Sequence, residues 1–140
     1  MQSATVAEDD ELLPIVPYIA RDALGEPGLF GRKCSACGEI SLGSPTICAC
    51  CGARDALTPV ALANTGKLYV WTTVHRSLPG VATPFVFAIV DLDGGGAVKG
   101  TLVAPERDIR FDMPVKVVFE KADRIDAKGR SYLTYHFVKA

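Results

Sequence analysis

All five cysteines of this 140-residue chain fall between positions 34 and 51, within the stretch KCSACGEISLGSPTICACCGARD. The cluster holds two copies of one pattern, C-x-x-C-G: Cys34 to Gly38 and Cys48 to Gly52, with ten residues between Cys37 and Cys48. Two residues between cysteines let both thiolates face one ion from a tight turn, and the glycine that follows each pair supplies backbone free to take positive φ. The spacing predicts that Cys34, Cys37, Cys48 and Cys51 close a four-thiolate tetrahedron. With no histidine, carboxylate or open position in the set, the ion is read as structural Zn(II).

The sequence leaves iron open in place of zinc, because rubredoxin-like iron also sits on paired C-x-x-C-G knuckles. A dithiol redox pair fits less well: such motifs open a helix after a strand, whereas turn residues flank both pairs here. Cys50 can in principle stand in for Cys48 or Cys51, but only Cys48 with Cys51 repeats the two-residue spacing, so Cys50 is read as a bystander. Clustered thiols, odd in number, point to metal binding in a reducing compartment rather than to disulfides.

Beyond Gly66 the pattern changes to short β-branched and aromatic runs punctuated by Gly, Pro and Asp. GKLYVWTTVHRS alternates, placing Leu68, Val70 and Thr72 on one face and Tyr69, Trp71 and Thr73 on the other. TPFVFAIVDLDGGG is a nearly continuous apolar run ended by a turn, and AVKGTLV fits as its hairpin partner. MPVKVVFEKAD and RSYLTYHFVKA are two further runs around DRIDAKGR. Five strands without a helical period predict a mainly β chain: a rubredoxin-like zinc ribbon over 31–60, then a five-stranded OB-type antiparallel barrel over 61–140. Residues 1–30 read as an arm in which Pro14, Pro17 and Pro27 forbid a long helix, although YIARDAL allows a turn or two. Its apolar residues, among them Leu12, Ile15, Tyr18, Ile19 and Leu24, must pack either on the ribbon or barrel or on a partner protein.

Catalytic groups are scarce, and none is assigned. His75 and His136 both fall in strand-like runs. Asp91 and Asp93 precede Gly94-Gly95-Gly96 as a hairpin turn would require, and that glycine run lacks the strand-turn-helix setting of a phosphate loop. For a small anion the candidates are Arg32, Lys33, Arg76 and Lys99; for stacked bases they are Tyr69, Trp71, Tyr132 and Tyr135. Fifteen basic against sixteen acidic residues give a formal net charge of −1, which argues against a nucleic-acid partner. The acidic start MQSATVAEDDELLP has no signal-peptide character, and no apolar run approaches the roughly 18 residues that cross a bilayer, so a cytoplasmic protein without membrane contact is expected.

Taken in order, the two knuckles followed by NTGKLYVWTTVHRS, TPFVFAIVDLDGG, VKGTL and FDMPVKVVFE resemble the OB-fold proteins with an N-terminal zinc ribbon catalogued as domain of unknown function 35. The resemblance runs from about Pro14 to the end. It departs from the family at Ala49-Cys50, where proline is frequent, and at ISLGSP between the knuckles. It implies that Cys34, Cys37, Cys48 and Cys51 are the metal ligands. It also implies a non-catalytic accessory subunit of thiolase-fold acyl-CoA enzymes, with the catalytic residues and most of the CoA thioester contacts in the partner. The partner is a thiolase, acyltransferase or steroid side-chain aldolase subunit, and the assembly a heterotetramer. The resemblance assigns no CoA-contacting residue in this chain.

Overall fold

The computed structural model describes residues 12–140, with the side chains of 123–125 left aside. Among these residues the only helical element is a single 3-10 turn (Glu106–Asp108), and everything else regular is strand. Among the described residues no helix is long and apolar enough to cross a membrane.

From Leu12 onward the arm packs on its own chain; its residues 1–11 lie outside the described residues. Strand β1 (Leu13–Pro14) lies parallel to β10 (Ser131–Lys139), and the Ile15 N–H donates to the Leu133 carbonyl at 2.9 Å. Strand β2 (Ile19–Arg21) forms a hairpin with β3 (Pro27–Cys34), pairing Ile19 with Leu29. Ile19 is buried in the core, with Leu12, Val16 and Tyr18 packed against it. The helical turns that YIARDAL allows are therefore absent, and a local contact adds to the burial of Ile19: the Asp22 carboxylate accepts the N–H groups of Leu24 and Glu26 at 2.8 and 2.9 Å. An Asp that captures its following backbone donors favours a turn over a helix.

The ribbon continues from β3, which pairs antiparallel with β4 (Ile40–Leu42) on one side and β5 (Leu57–Ala61) on the other. The barrel strands are β6 (Thr65–Val74), β7 (Phe85–Leu92), β8 (Ala97–Val103), β9 (Pro114–Ile125) and β10. Hydrogen-bonded neighbours run β6, β7, β8, β10, β9 and back to β6, the OB order. All these pairings are antiparallel except the short β8–β10 seam, where only Leu102 and Val103 are matched, with Phe137 and Val138. That seam must be parallel, since the third and fifth strands of an alternating series run the same way. It leaves the barrel partly open. Inside sit Leu68, Val90, Val98, Val115 and Phe137, all essentially without solvent contact.

The alternation expected along β6 breaks midway. Leu68 pairs with Val90 but Val70 with Ile89, so Tyr69 is a bulge residue. Past it the faces exchange: Val70 points to solvent, and Trp71, not Val70, packs against the core. A one-residue insertion moves every later side chain to the opposite face.

Candidate metal centre

The two knuckles are superimposable in their hydrogen bonding. The Cys34 N–H donates to the Glu39 carbonyl at 2.8 Å and the Gly38 N–H returns to the Cys34 carbonyl at 2.8 Å. The Cys48 N–H donates to Ala53 at 3.0 Å and the Gly52 N–H to Cys48 at 2.9 Å, repeating both bonds fourteen residues later. Gly38 and Gly52 have φ of 82° and 77°, a region closed to most side chains, which is why each pair ends in glycine. Strands β3 and β4 fix the first knuckle, and an isolated bridge between Ile47 and Arg54 closes the second. The Ser35 N–H reaches the Ala56 carbonyl at 2.8 Å, tying one knuckle to the chain leaving the other.

These turns bring the sulfur atoms of Cys34, Cys37, Cys48 and Cys51 within 4.8 Å of one another. Cys34 and Cys51 are 3.7 Å apart, Cys37 and Cys48 3.6 Å. A disulfide would need about 2.0 Å. A tetrahedral ion with metal–sulfur bonds of about 2.3 Å has sulfur–sulfur edges of about 3.8 Å, which these two edges approach. Each knuckle contributes one buried cysteine, Cys34 and Cys48, and one exposed, Cys37 and Cys51. Cys50 is exposed and is not among the four clustered cysteines.

A cation at this position would relieve the electrostatics of the cluster. The Cys48 thiol is lowered to about 7 by the N–H of Cys51 and, after it, that of Cys50. Cys37 moves the other way, pushed up to about 12: the Glu39 N–H favours its thiolate, but loss of water and the crowding sulfurs of Cys48, Cys51 and Cys34 outweigh it. Cys51 is raised too, against the pull of the Ala53 N–H. Four sulfurs this close cannot all carry negative charge unless a positive ion sits between them. The donor set fits Zn(II) or iron, and leaves no coordination position open.

The other sequence candidates are dispersed. Arg32 donates to the Pro45 carbonyl at 2.9 Å and so braces the loop between the knuckles. Lys33 is exposed on β3, Arg76 lies in the loop after β6, and Lys99 is exposed on β8. Tyr132 donates to Asp126, and the Tyr135 hydroxyl donates to the Lys99 carbonyl while accepting from Tyr18 at 2.7 Å. Burial, then the Tyr18 hydroxyl, holds Tyr135 above the usual phenol range. Trp71 packs on Phe111 with ring centres 4.8 Å apart, and Tyr69 is exposed. Asp93 accepts from the Thr65 hydroxyl at 2.7 Å, a turn brace, while Asp91 stays on β7. His75 is exposed just beyond β6, and His136 contacts Glu120 at 2.8 Å.

One contact escaped the sequence reading. The ribbon seats on the barrel where Ile40 of β4 covers the turn between β7 and β8. A Cβ on Gly95, whose φ is 123°, would stand 2.6 Å from Ile40 Cδ1, and one on Gly96 would touch Ile40 and Leu62. Three successive glycines exceed what a hairpin turn needs, and that excess was the available signal.

Comparison with known proteins extends this picture. Residues 59–120 match the family model described as "ChsH2, C-terminal OB-fold domain". A DUF35 domain-containing scaffold protein of Methanocaldococcus jannaschii is 31% identical over 97 residues, which are 66% of this chain and 68% of the relative. The benzoylsuccinyl-CoA thiolase subunit BbsA of Geobacter metallireducens is 27% identical over 126 residues, 90% of this chain and 84% of the relative. Among solved structures, the Ltp2-ChsH2(DUF35) aldolase contains a chain similar to this one with a TM-score of 0.62 and 25% identity, covering 80% of this chain and 84% of that one. The ordered knuckles, the OB strand order and the extent of these matches lead to one conclusion: the chain belongs to the domain of unknown function 35 family, OB-fold proteins with an N-terminal zinc ribbon.

Proposed function

We propose that this protein is the non-catalytic subunit of a heteromeric thiolase, an acyltransferase acting on 3-oxoacyl-CoA thioesters in the cytoplasm. The observation that carries the reading is the similarity over 90% of the chain to a benzoylsuccinyl-CoA thiolase subunit. In this reading Cys34, Cys37, Cys48 and Cys51 hold Zn(II). The ion supplies a crosslink and no chemistry, since all four positions are thiolates. The knuckles then present a ribbon of fixed shape, seated on the barrel through Ile40 and Gly95. A thiolase-fold partner carries the catalytic residues and binds most of the CoA thioester, in a heterotetramer with two copies of each chain. The present subunit is needed for assembly and for CoA-ester binding.

A second reading makes the partner an aldolase cleaving steroid side-chain CoA esters, and the likeness to the Ltp2-ChsH2(DUF35) aldolase favours it. Both readings are tested by affinity capture of the tagged, metal-replete protein from its native cells at moderate salt, with mass spectrometry of stoichiometric partners. The expected result is a thiolase-fold subunit in equal amount, whose reaction then separates thiolase from aldolase. Recovery of nucleic acid, or of no stoichiometric protein, would overturn both.

A further inference from the structure

The barrel has two outer faces of opposite character. On β9 and β10 the outward rows pair Lys116 with Val138, Val118 with His136, and Glu120 with Thr134, and His136 and Glu120 are in contact. This is the polar solvent face expected of an antiparallel sheet packed on one side. On β6, β7 and β8 three successive outward rows are Val74 with Phe85, Thr72 with Phe87 and Thr101, and Val70 with Ile89 and Lys99, and the next row, Lys67 with Asp91 and Ala97, bounds them with charge. Their inward neighbours Ala88, Val90, Val98 and Leu102 are buried, which fixes the direction of these rows. Val70, Phe87 and Val103 are 39%, 36% and 58% exposed, and Lys99 is the single charged side chain in the three rows.

We propose that this β6–β7–β8 face is the surface on which the thiolase-fold subunit docks, an inference that rests on the function proposed above. Apolar residues exposed contiguously on one face mark an interaction surface, and depletion of charge at the centre is the compositional mark of a protein interface. The face ends at a cleft of about 180 Å³ walled by Tyr18 of the arm and Leu42 of the ribbon, with Ile89, Ala97 and Lys99 around it. Arm, ribbon and barrel thus meet at one edge of the surface, and the cleft suits a single anchoring side chain from the partner. The outer face of the second and third strands is where OB barrels take ligands. A nucleic-acid version needs a basic, aromatic groove. One lysine among valines, threonines and phenylalanines fits a protein surface instead, and the relatives named as a thiolase subunit and as part of an aldolase supply its chemistry.

The test uses the full metal-loaded chain and the thiolase-fold subunit purified from the captured complex. Phe87→Asp and Val103→Asp should each weaken the complex about thirtyfold or more, the scale of interface hot spots, while Lys116→Glu on the other face leaves affinity within about twofold. Unchanged circular dichroism and metal content establish that the variants fold. In the otherwise unaltered chain, a benzophenone amino acid at position 87 should crosslink to the thiolase-fold subunit. Wild-type affinity for both aspartate variants, or no crosslink within an intact complex, would overturn the docking face and leave the proposed function standing. A crosslink to a second copy of this chain or to nucleic acid would overturn it as well. Failure to recover any thiolase-fold subunit would remove the function and the docking face together.

Discussion

The ribbon and the barrel are β-structures of the same chain held by different forces. Between Gly31 and Ala56 the only buried residues are Gly31, Cys34, Gly43 and Cys48, so the ribbon has no hydrophobic core. The barrel buries Leu68, Val90, Leu92, Val98, Leu102, Met113, Val115, Leu133 and Phe137 in one cluster. Burying a large apolar side chain contributes roughly 1.5–3 kcal/mol, and these nine residues offset much of the ordering entropy of the barrel. The ribbon has nothing comparable. Its two knuckles gather four cysteine sulfurs around one position, where a metal could be held, and in small zinc modules metal binding supplies on the order of 10 kcal/mol of folding free energy. With a metal held there as proposed, one half is chemically conditional and the other is not.

The sharpest way to break the contrast is to remove two ligands. Cys34→Ser with Cys37→Ser should abolish stoichiometric metal, read by elemental analysis, and cost the ribbon on the order of 10 kcal/mol, while the Trp71–Phe111 region of the barrel keeps its near-ultraviolet signature. Partner capture should fail with it. Retained assembly in this double variant would contradict the role given to the ribbon.

The reverse lesion comes next in size. Phe137 is fully buried at the centre of the barrel, and Phe137→Ala should destabilise it by about 3–5 kcal/mol in chemical denaturation. Below the unfolding transition the metal content should not change. Gly95→Val tests the joint between the two halves: the added side chain meets Ile40 and strains a positive φ, so a loss of about 1–3 kcal/mol is expected. Crosslinks between the ribbon and the β7–β8 turn should fall, with one metal still bound per chain.

The smallest effect lies in the β9–β10 turn and involves neither half of the contrast. Asp126 is lowered to about 2, first by the Arg130 N–H and then by the Arg130 guanidinium, Tyr132 and the Lys128 N–H. Because the folded value lies below the unfolded value of about 3.9, its contribution is complete above pH 4 and is lost as pH falls towards 2. Asp126→Asn should lower the melting temperature at pH 7, and the difference from the parent should vanish near pH 2.

The sequence was most readable where chemistry repeats at short range. Cys34, Cys37, Cys48 and Cys51 announce a common centre because each knuckle is a closed local motif whose hydrogen bonds need no distant partner. The barrel strands were readable for a similar reason, since alternation and turn residues are local. Three features were not. The bulge at Tyr69 reverses the faces of β6 without altering its composition, and only the pairing with Val90 and Ile89 reveals it. The arm becomes strand because Ile19 finds a place in the core and Asp22 binds its own backbone, a tertiary override of weak helix propensity. The seat of Ile40 on Gly95 joins positions 55 residues apart, so the run of glycines signals a close approach without naming its partner.

The measurement that tests the central claim most directly is hydrogen–deuterium exchange on the full chain, metal-loaded and after removal of the metal with a chelator. The account predicts that protection over Gly31 to Ala56 collapses in the metal-free protein while β6 to β10 keep theirs. Unchanged exchange in the ribbon, or loss of protection throughout the barrel, would contradict it.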